Sequence, residues 1–272
     1  MVLLGTSLSI YAAEIIRVAV VFDTGTTSIS SSQRYYIARD QVDFLNDTIY
    51  NSGLNSDIKF QLVVDKAIKF ASTFDDFDDV QNKYLNVMST NFDTKIPSLP
   101  LNKVSRDSQV DIVIAIFNPW GDNDIGGRAL MVPDKNMGES VANILSFADA
   151  GIVFIHEDSV NDYTMVPHEV GHTFGLFHGN AVAEYTGESG HYTPLSAVDS
   201  AAHGYGTSSG TRYGTIMTGY HLDIGKPTNS FSNPNKYNCG PYEQVCGDFF
   251  SDATSVLKQF KTYYGKRGDF YN

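Results

Sequence analysis

Apolar positions along the chain recur with two periods. Ile16 to Phe22 reads Ile-Arg-Val-Ala-Val-Val-Phe, too short for a helix, rich in β-branched residues and bounded by Asp23-Thr24-Gly25, which predicts a buried strand. Between Ser32 and Gly53, Ala38, Val42, Leu45 and Ile49 return every three or four residues, the spacing of an amphipathic helix that covers one face of a sheet. Ile58 to Val64 predicts a second strand. Val110 to Phe117 is apolar at every position but Asp111, which predicts a third, central one. Thr73 to Met88 is expected to hold another helix, and its Asp75, Asp76, Asp78 and Asp79 suit the start of a helix dipole without needing a function.

Arg128 to Val132, after a Gly126-Gly127 turn, predicts a short fourth strand, and Gly151 to Ile155 a fifth. Asp122-Asn123-Asp124 opens like a calcium loop, but Pro133 stands where the closing bidentate Glu belongs, so a polar turn is expected. Beyond Gly179 the chain is rich in Gly, Ser, Thr and Tyr with little periodicity, as functional loops are. Ala253, Leu257, Phe260 and Tyr264 then mark a closing helix between Asp252 and Gly265. Alternating strands and helices followed by an irregular half give an α/β (α+β) class. One domain is expected over residues 14–272, with an upper part to about 178 and a lower part from 179.

Composition narrows the possible partners. The 272 residues are 42% hydrophobic and 18% charged, enough to build a core, and 31 acidic against 19 basic side chains leave a formal charge of -12. That charge repels nucleic acid and anionic lipid, and no apolar run is long enough to span a membrane. Met1 to Ala13 carries Val2, Leu3, Leu4, Leu8 and Ile10 but no Lys or Arg, so it reads either as an abbreviated secretion signal or as a disordered start. Cys239 and Cys246, the two cysteines, are spaced too widely for a C-x-x-C pair. A local disulfide is expected, with two free thiols as the alternative, and the former points to a secreted protein. A monomer is the default.

The chemistry concentrates in His168-Glu169-Val170-Gly171-His172-Thr173-Phe174-Gly175-Leu176-Phe177-His178. On a helix, residues four apart share a face, so His168 and His172 can reach one zinc ion. Gly175 can adopt the positive φ that ends the helix and turns the chain, bringing His178 to the same ion. Three histidines leave a fourth tetrahedral position to water, the mark of a catalytic site. Zinc lowers the pKa of bound water from about 15.7 towards ~7, and Glu169, beside the first ligand, is placed to act as general base and later to pass the proton to the leaving amine. His156, His191, His203 and His221 fall outside the motif and are read as surface or loop residues.

The segment resembles the zinc signature of the metzincin metalloendopeptidases. Gly214-Thr215-Ile216-Met217-Thr218-Gly219-Tyr220 is similar to the methionine turn of that clan, and the resemblance implies that Met217 forms an apolar floor under the histidines. It also implies a metzincin-like zincin fold: a mixed, twisted five-stranded sheet, an antiparallel edge strand, an active-site helix and a smaller irregular C-terminal subdomain closed by a helix. The implied edge is Arg128, Ala129, Leu130, Met131 and Val132, pairing with extended polypeptide by β-augmentation. Phe231-Ser232-Asn233-Pro234 resembles the corresponding stretch of bacterial reprolysin-like and peptidyl-Asp metalloendopeptidases. Gly179 departs from the Asp that adamalysins and reprolysins carry after the third histidine. Tyr220 stands one place beyond the Tyr ligand of astacin-like members and is not counted as a ligand. The resulting expectation is a zinc-dependent endopeptidase with one catalytic Zn2+, the alternative being an inactive, zinc-stabilised peptide-binding module.

Overall fold

The computed structural model describes residues 12–70, 100–118, 126–129, 151–176, 178, 214–218, 228–237, 245–247 and 252–266. The expected helix at 73–88, the polar turn at 122–124, Leu130 to Val132, His191, His203, Tyr220, His221, Cys239 and most of the stretches before Ala12 and after Gly179 lie outside the described residues.

Five strands form one sheet. They are β1 (Glu14–Asp23), β2 (Ile58–Ile68), β3 (Ile112–Phe117), β4 (Gly127–Ala129) and β5 (Gly151–His156), in the spatial order β2-β1-β3-β5-β4. Strands β1, β2, β3 and β5 run parallel, whereas β4 pairs antiparallel with β5 at one edge, setting Gly127 opposite Ile155 and Ala129 opposite Val153. The three inner strands are apolar on both faces because both faces are covered. Val18, Val20, Phe22, Ile112, Ile114 and Ile116 point into one apolar cluster, and Ala19, Val21, Val113, Ala115 and Phe117 into the other.

The first cluster is capped by α1 (Ser31–Asn51) through Ala38, Val42, Leu45 and Ile49, by α3 (Met165–Thr173) and by α4 (Ala253–Tyr264). The second is covered by α2 (Pro100–Ser108), which buries Leu101 and Val104. Sequence periodicity passes over α2 because a nine-residue helix with two buried apolar side chains barely repeats. Strand β2 continues four residues past Val64, since an edge strand needs only alternation, and its side chains alternate between more and less exposed to Ile68.

Three anchors tie the ends of this layered unit together. Asp111, fully buried, accepts hydrogen bonds from the Arg17 backbone at 2.7 Å and from its guanidinium at 3.1 Å, joining β1 to the start of β3. The Glu157 carboxylate accepts from the Ser28 backbone at 2.8 Å and from Asn118 Nδ2 at 2.7 Å, at the other end of the sheet. Tyr264 of α4 donates its hydroxyl to the Phe174 carbonyl at 2.9 Å and stacks on the Phe174 ring, so the closing helix is fastened to the end of α3. Among the described residues, no helix is long and apolar enough to cross a membrane.

One expectation is corrected. His156 is not a surface residue: it ends β5, is 4% exposed, and its Nδ1 accepts from the Asp158 backbone at 3.1 Å. The apolar pattern of β5 continues one residue further than Ile155 and takes the imidazole inside.

Candidate metal centre

Helix α3 carries the centre, and its position is set before it begins. Gln41 of α1 donates to the Val160 carbonyl at 2.8 Å, holding the connection from β5, and Val166 and Val170 then bury in the core. The helix ends by a glycine cap: Gly175 N–H donates to the His172 carbonyl at 2.9 Å and Leu176 N–H to the Gly171 carbonyl at 3.0 Å. Gly175 has φ +80°, and a Cβ there would meet nothing within 4 Å, so the conformation rather than the space calls for glycine. The reversal brings His178 back to the helix.

The three Nε2 atoms converge, with separations of 3.2 Å for His168–His172 and 3.1 Å for each of them to His178. His168 Nδ1 lies 2.8 Å from the Ile216 carbonyl, and His172 Nδ1 2.8 Å from the Leu176 carbonyl. A carbonyl only accepts, so each Nδ1 carries the proton and each Nε2 of the neutral ring presents a lone pair. The lone pairs of His168 and His172, 3.2 Å apart, cannot bond to one another, and a cation shared with His178 would reconcile them. Ligands at the Zn–N distance of about 2.0–2.1 Å around a tetrahedral ion stand about 3.3 Å apart, so the set fits an ion of that size. Burial, then the neighbouring His168 and His178, hold His172 well below its ordinary pKa, with the Leu176 carbonyl pulling the other way. The ring is therefore neutral, as a ligand must be.

Glu169 and His168 are each 6% exposed. Burial pushes the Glu169 carboxyl up to about 8, against the opposing pull of the Arg128 guanidinium. Its side chain runs beside Gly127 of β4.

Met217, fully buried in a short 3-10 turn (Ile216–Thr218), presses on α3: a Cβ at Gly171 would stand 2.5 Å from its Sδ and 3.1 Å from the Phe231 ring. The same turn offers the carbonyl that orients His168. It is held by Ile216 N–H on the Ser230 carbonyl at 2.9 Å, while Phe231 N–H donates to Ser52 Oγ at 2.8 Å, Asn233 Nδ2 to the Ser52 carbonyl at 2.8 Å, and Ala253 N–H to Ser232 Oγ at 3.0 Å. Residues 230–233 thus lace the end of α1, the methionine turn and the start of α4 together.

Of the residues singled out from sequence, His168, His172 and His178 are brought together, Glu169 lies in the same helix, Met217 lies beneath Gly171, and Arg128 and Ala129 lie in edge strand β4. Cys246 is buried, and it forms an isolated antiparallel bridge with Asn233. Sequence reasoning missed the orienting carbonyls of Ile216 and Leu176, which no residue type encodes. It also gave Gly171 no role, although a glycine inside a helix costs about 1 kcal/mol against alanine, a clue to close approach.

No curated protein matches the sequence. Among solved structures 105 chains match. One, a chain of a chaperone–substrate complex, superposes with a TM-score of 0.62 at 19% identity, over 94% of this chain and 35% of its own length. This chain thus spans about a third of that one, and the likeness is one of fold. The model of metallo-peptidase family M12B, reprolysin-like, matches residues 44–179, half of the sequence and the stretch that ends just past His178. The chain belongs to the reprolysin-like metallo-peptidases of family M12B.

Proposed function

We propose that this protein is a zinc-dependent endopeptidase in which His168, His172 and His178 hold one zinc ion and Glu169 is the general base. The observation that carries the reading is the meeting of three imidazole Nε2 atoms within 3.2 Å, two of them with the proton fixed on the far nitrogen; Glu169, next to His168 on the same helix, is a buried carboxyl. When bound, zinc supplies a Lewis acid that acidifies water and polarises a carbonyl oxygen.

The chain's own groups do the rest. Ile216 and Leu176 keep two rings in the ligand tautomer. Glu169 takes the proton of the attacking water on a carboxylate oxygen and delivers it to the leaving amine nitrogen. Burial raises the proton affinity of this carboxyl in the metal-free chain, and a bound divalent cation would favour its ionised, proton-accepting form. Strand β4, at the sheet edge, offers main-chain N–H and C=O groups to an extended polypeptide, so main-chain pairing would hold the substrate and favour cleavage within a chain. Met217 supports the helix from below.

The same reading extends to a metzincin upper part to about residue 178 and a lower part after it, to secretion, and to a Cys239–Cys246 bridge. The bridge is supported by the burial of Cys246 and the lack of a free thiol among the described residues. The reprolysin-like, peptidyl-Asp type is supported by Phe231-Ser232-Asn233-Pro234, whose first three residues do the lacing described above.

The test is degradation of casein and of a broad peptide library by zinc-loaded protein, with and without chelator, and by Glu169→Gln. Wild type is expected to cleave, chelator to stop it, and Glu169→Gln to keep stoichiometric zinc while losing on the order of 10²–10⁴-fold in rate. A wild type that binds zinc and cleaves nothing would instead be a peptide-binding module. Substantial activity in Glu169→Gln would remove the carboxylate from the mechanism.

A further inference from the structure

We infer that Gly127 is a positioning residue for Glu169: the missing side chain at the start of the edge strand is the space through which the Glu169 side chain passes. This deepens the reading of Glu169 as general base and rests on it.

Glycine weakens a strand interior and marks a bulge or a close approach. Neither Gly126, just before β4, nor Gly127, its first residue, has a positive φ, and Gly127 sits in regular antiparallel register opposite Ile155. Conformation therefore does not demand glycine at 127; space does. A Cβ there would stand 3.0 Å from Glu169 Cγ, 3.1 Å from Ile155 Cδ1 and 3.1 Å from the Phe154 carbonyl oxygen. The carbonyl belongs to the backbone of β5 and Ile155 packs in the core, so the nearest contact, the middle of the Glu169 side chain, takes the largest share of the displacement.

Gly126 makes the contrast. A Cβ there would meet Met165 Cε at 2.4 Å and Ser159 Oγ at 2.9 Å, both at the ends of side chains that can turn away. Met165 and Glu169 are one turn apart on α3, so the glycine pair is the ledge on which that face of the helix lies. Crowding at 126 moves a methyl group; crowding at 127 moves the carboxyl that transfers the proton.

Two cycles test this, one without catalysis. In thermal melts of the zinc-loaded protein, Gly127→Ala should lower the midpoint by roughly 3–10 °C in wild type, and by clearly less in a Glu169→Ala background, where Cγ is gone and only the contacts with Ile155 Cδ1 and the Phe154 carbonyl remain. If Gly127→Ala alone does not fold, adding Glu169→Ala should restore folding. In peptide cleavage, Gly127→Ala should lower kcat on the order of 10–100-fold with KM and zinc content retained. It should change the residual rate of Glu169→Gln by less than about threefold, and Gly126→Ala should stay within about threefold of wild type. Equal losses from Gly127→Ala in both backgrounds, in either cycle, would show that the strand and not Glu169 bears the crowding, and would overturn this inference alone. A zinc-loaded wild type that cleaves nothing would overturn the reading beneath it as well.

Discussion

Removing the charge of Glu169 should stabilise the metal-free protein, and only above mildly acidic pH. The carboxyl is 6% exposed, and burial raises it from 4.5 to about 8. The folded chain thus holds this proton more tightly than the unfolded chain. Below the unfolded value both states are protonated and nothing is lost. As pH climbs from 4.5 towards 8, the unfolded state ionises freely while the folded state must keep its proton or bury a charge, and stability falls at up to 1.36 kcal/mol per unit. The whole penalty is on the order of 4–5 kcal/mol by pH 8, about 10 °C or more in a chain of this size. Glu169→Gln keeps the shape and cannot ionise. His172 runs the other way: its pKa is lowered, so its share of stability is complete above the ordinary histidine range and fades as pH falls. Because both proteins carry His172, the difference between them isolates Glu169. Urea unfolding in chelator at pH 5, 6.5 and 8 should give curves that separate progressively with pH, Glu169→Gln being the more stable at pH 8. Zinc should close the gap, because a nearby divalent cation favours the ionised carboxyl. Curves that run parallel from pH 5 to 8 would refute the claim that burial governs this group.

Four further variants test the site and its packing. His178→Ala should weaken zinc binding by at least about 100-fold in chelator competition, more than loss of a supporting hydrogen bond costs; retained affinity would mean that the two helix histidines suffice. Gly171→Ala should cost about 1–3 kcal/mol by driving a methyl into Met217 Sδ, 2.5 Å away. Met217→Ala should cost about 2–4 kcal/mol for the cavity, and the double variant less than the sum in thermal melts, since one methyl fills part of the space the other change empties; strict additivity would show that they do not touch. Asp111→Ala should cost about 3 kcal/mol in urea, because it removes the acceptor of the Arg17 backbone N–H at 2.7 Å and of its guanidinium at 3.1 Å, leaving the latter only partly satisfied by the Gly265 carbonyl at 3.5 Å. A loss below about 1 kcal/mol would show that water replaces the carboxylate freely.

Legibility of this fold depended on how much of each element repeats. The inner strands announce themselves because both of their faces are buried, so that Ile112 to Phe117 is apolar without a break, and α1 because its 21 residues give four buried apolar positions at helical spacing. The helix over Pro100–Ser108 left too short a record, and the polar end of β2 none. The three histidines were legible for a different reason: a metal site needs particular side chains at particular intervals, and His168, His172 and His178 meet through one turn of helix and one glycine reversal, both local. What orients them is not local. Ile216 gives His168 its carbonyl from 48 residues away, and that carbonyl is in place because Ser52, at the end of α1, accepts the Phe231 backbone 179 residues distant. Any residue brings a carbonyl, so the sequence carries no letter for this part of the site. It shows only where a letter is missing. Gly171 in a helix and Gly127 in a strand each sit where glycine is locally unfavourable, and in both places the explanation is a neighbour from another element that needs the room: Met217 against the first, Glu169 against the second. Glycines placed against local preference are therefore the trace that long-range packing leaves in the sequence, and here both of them border the same centre.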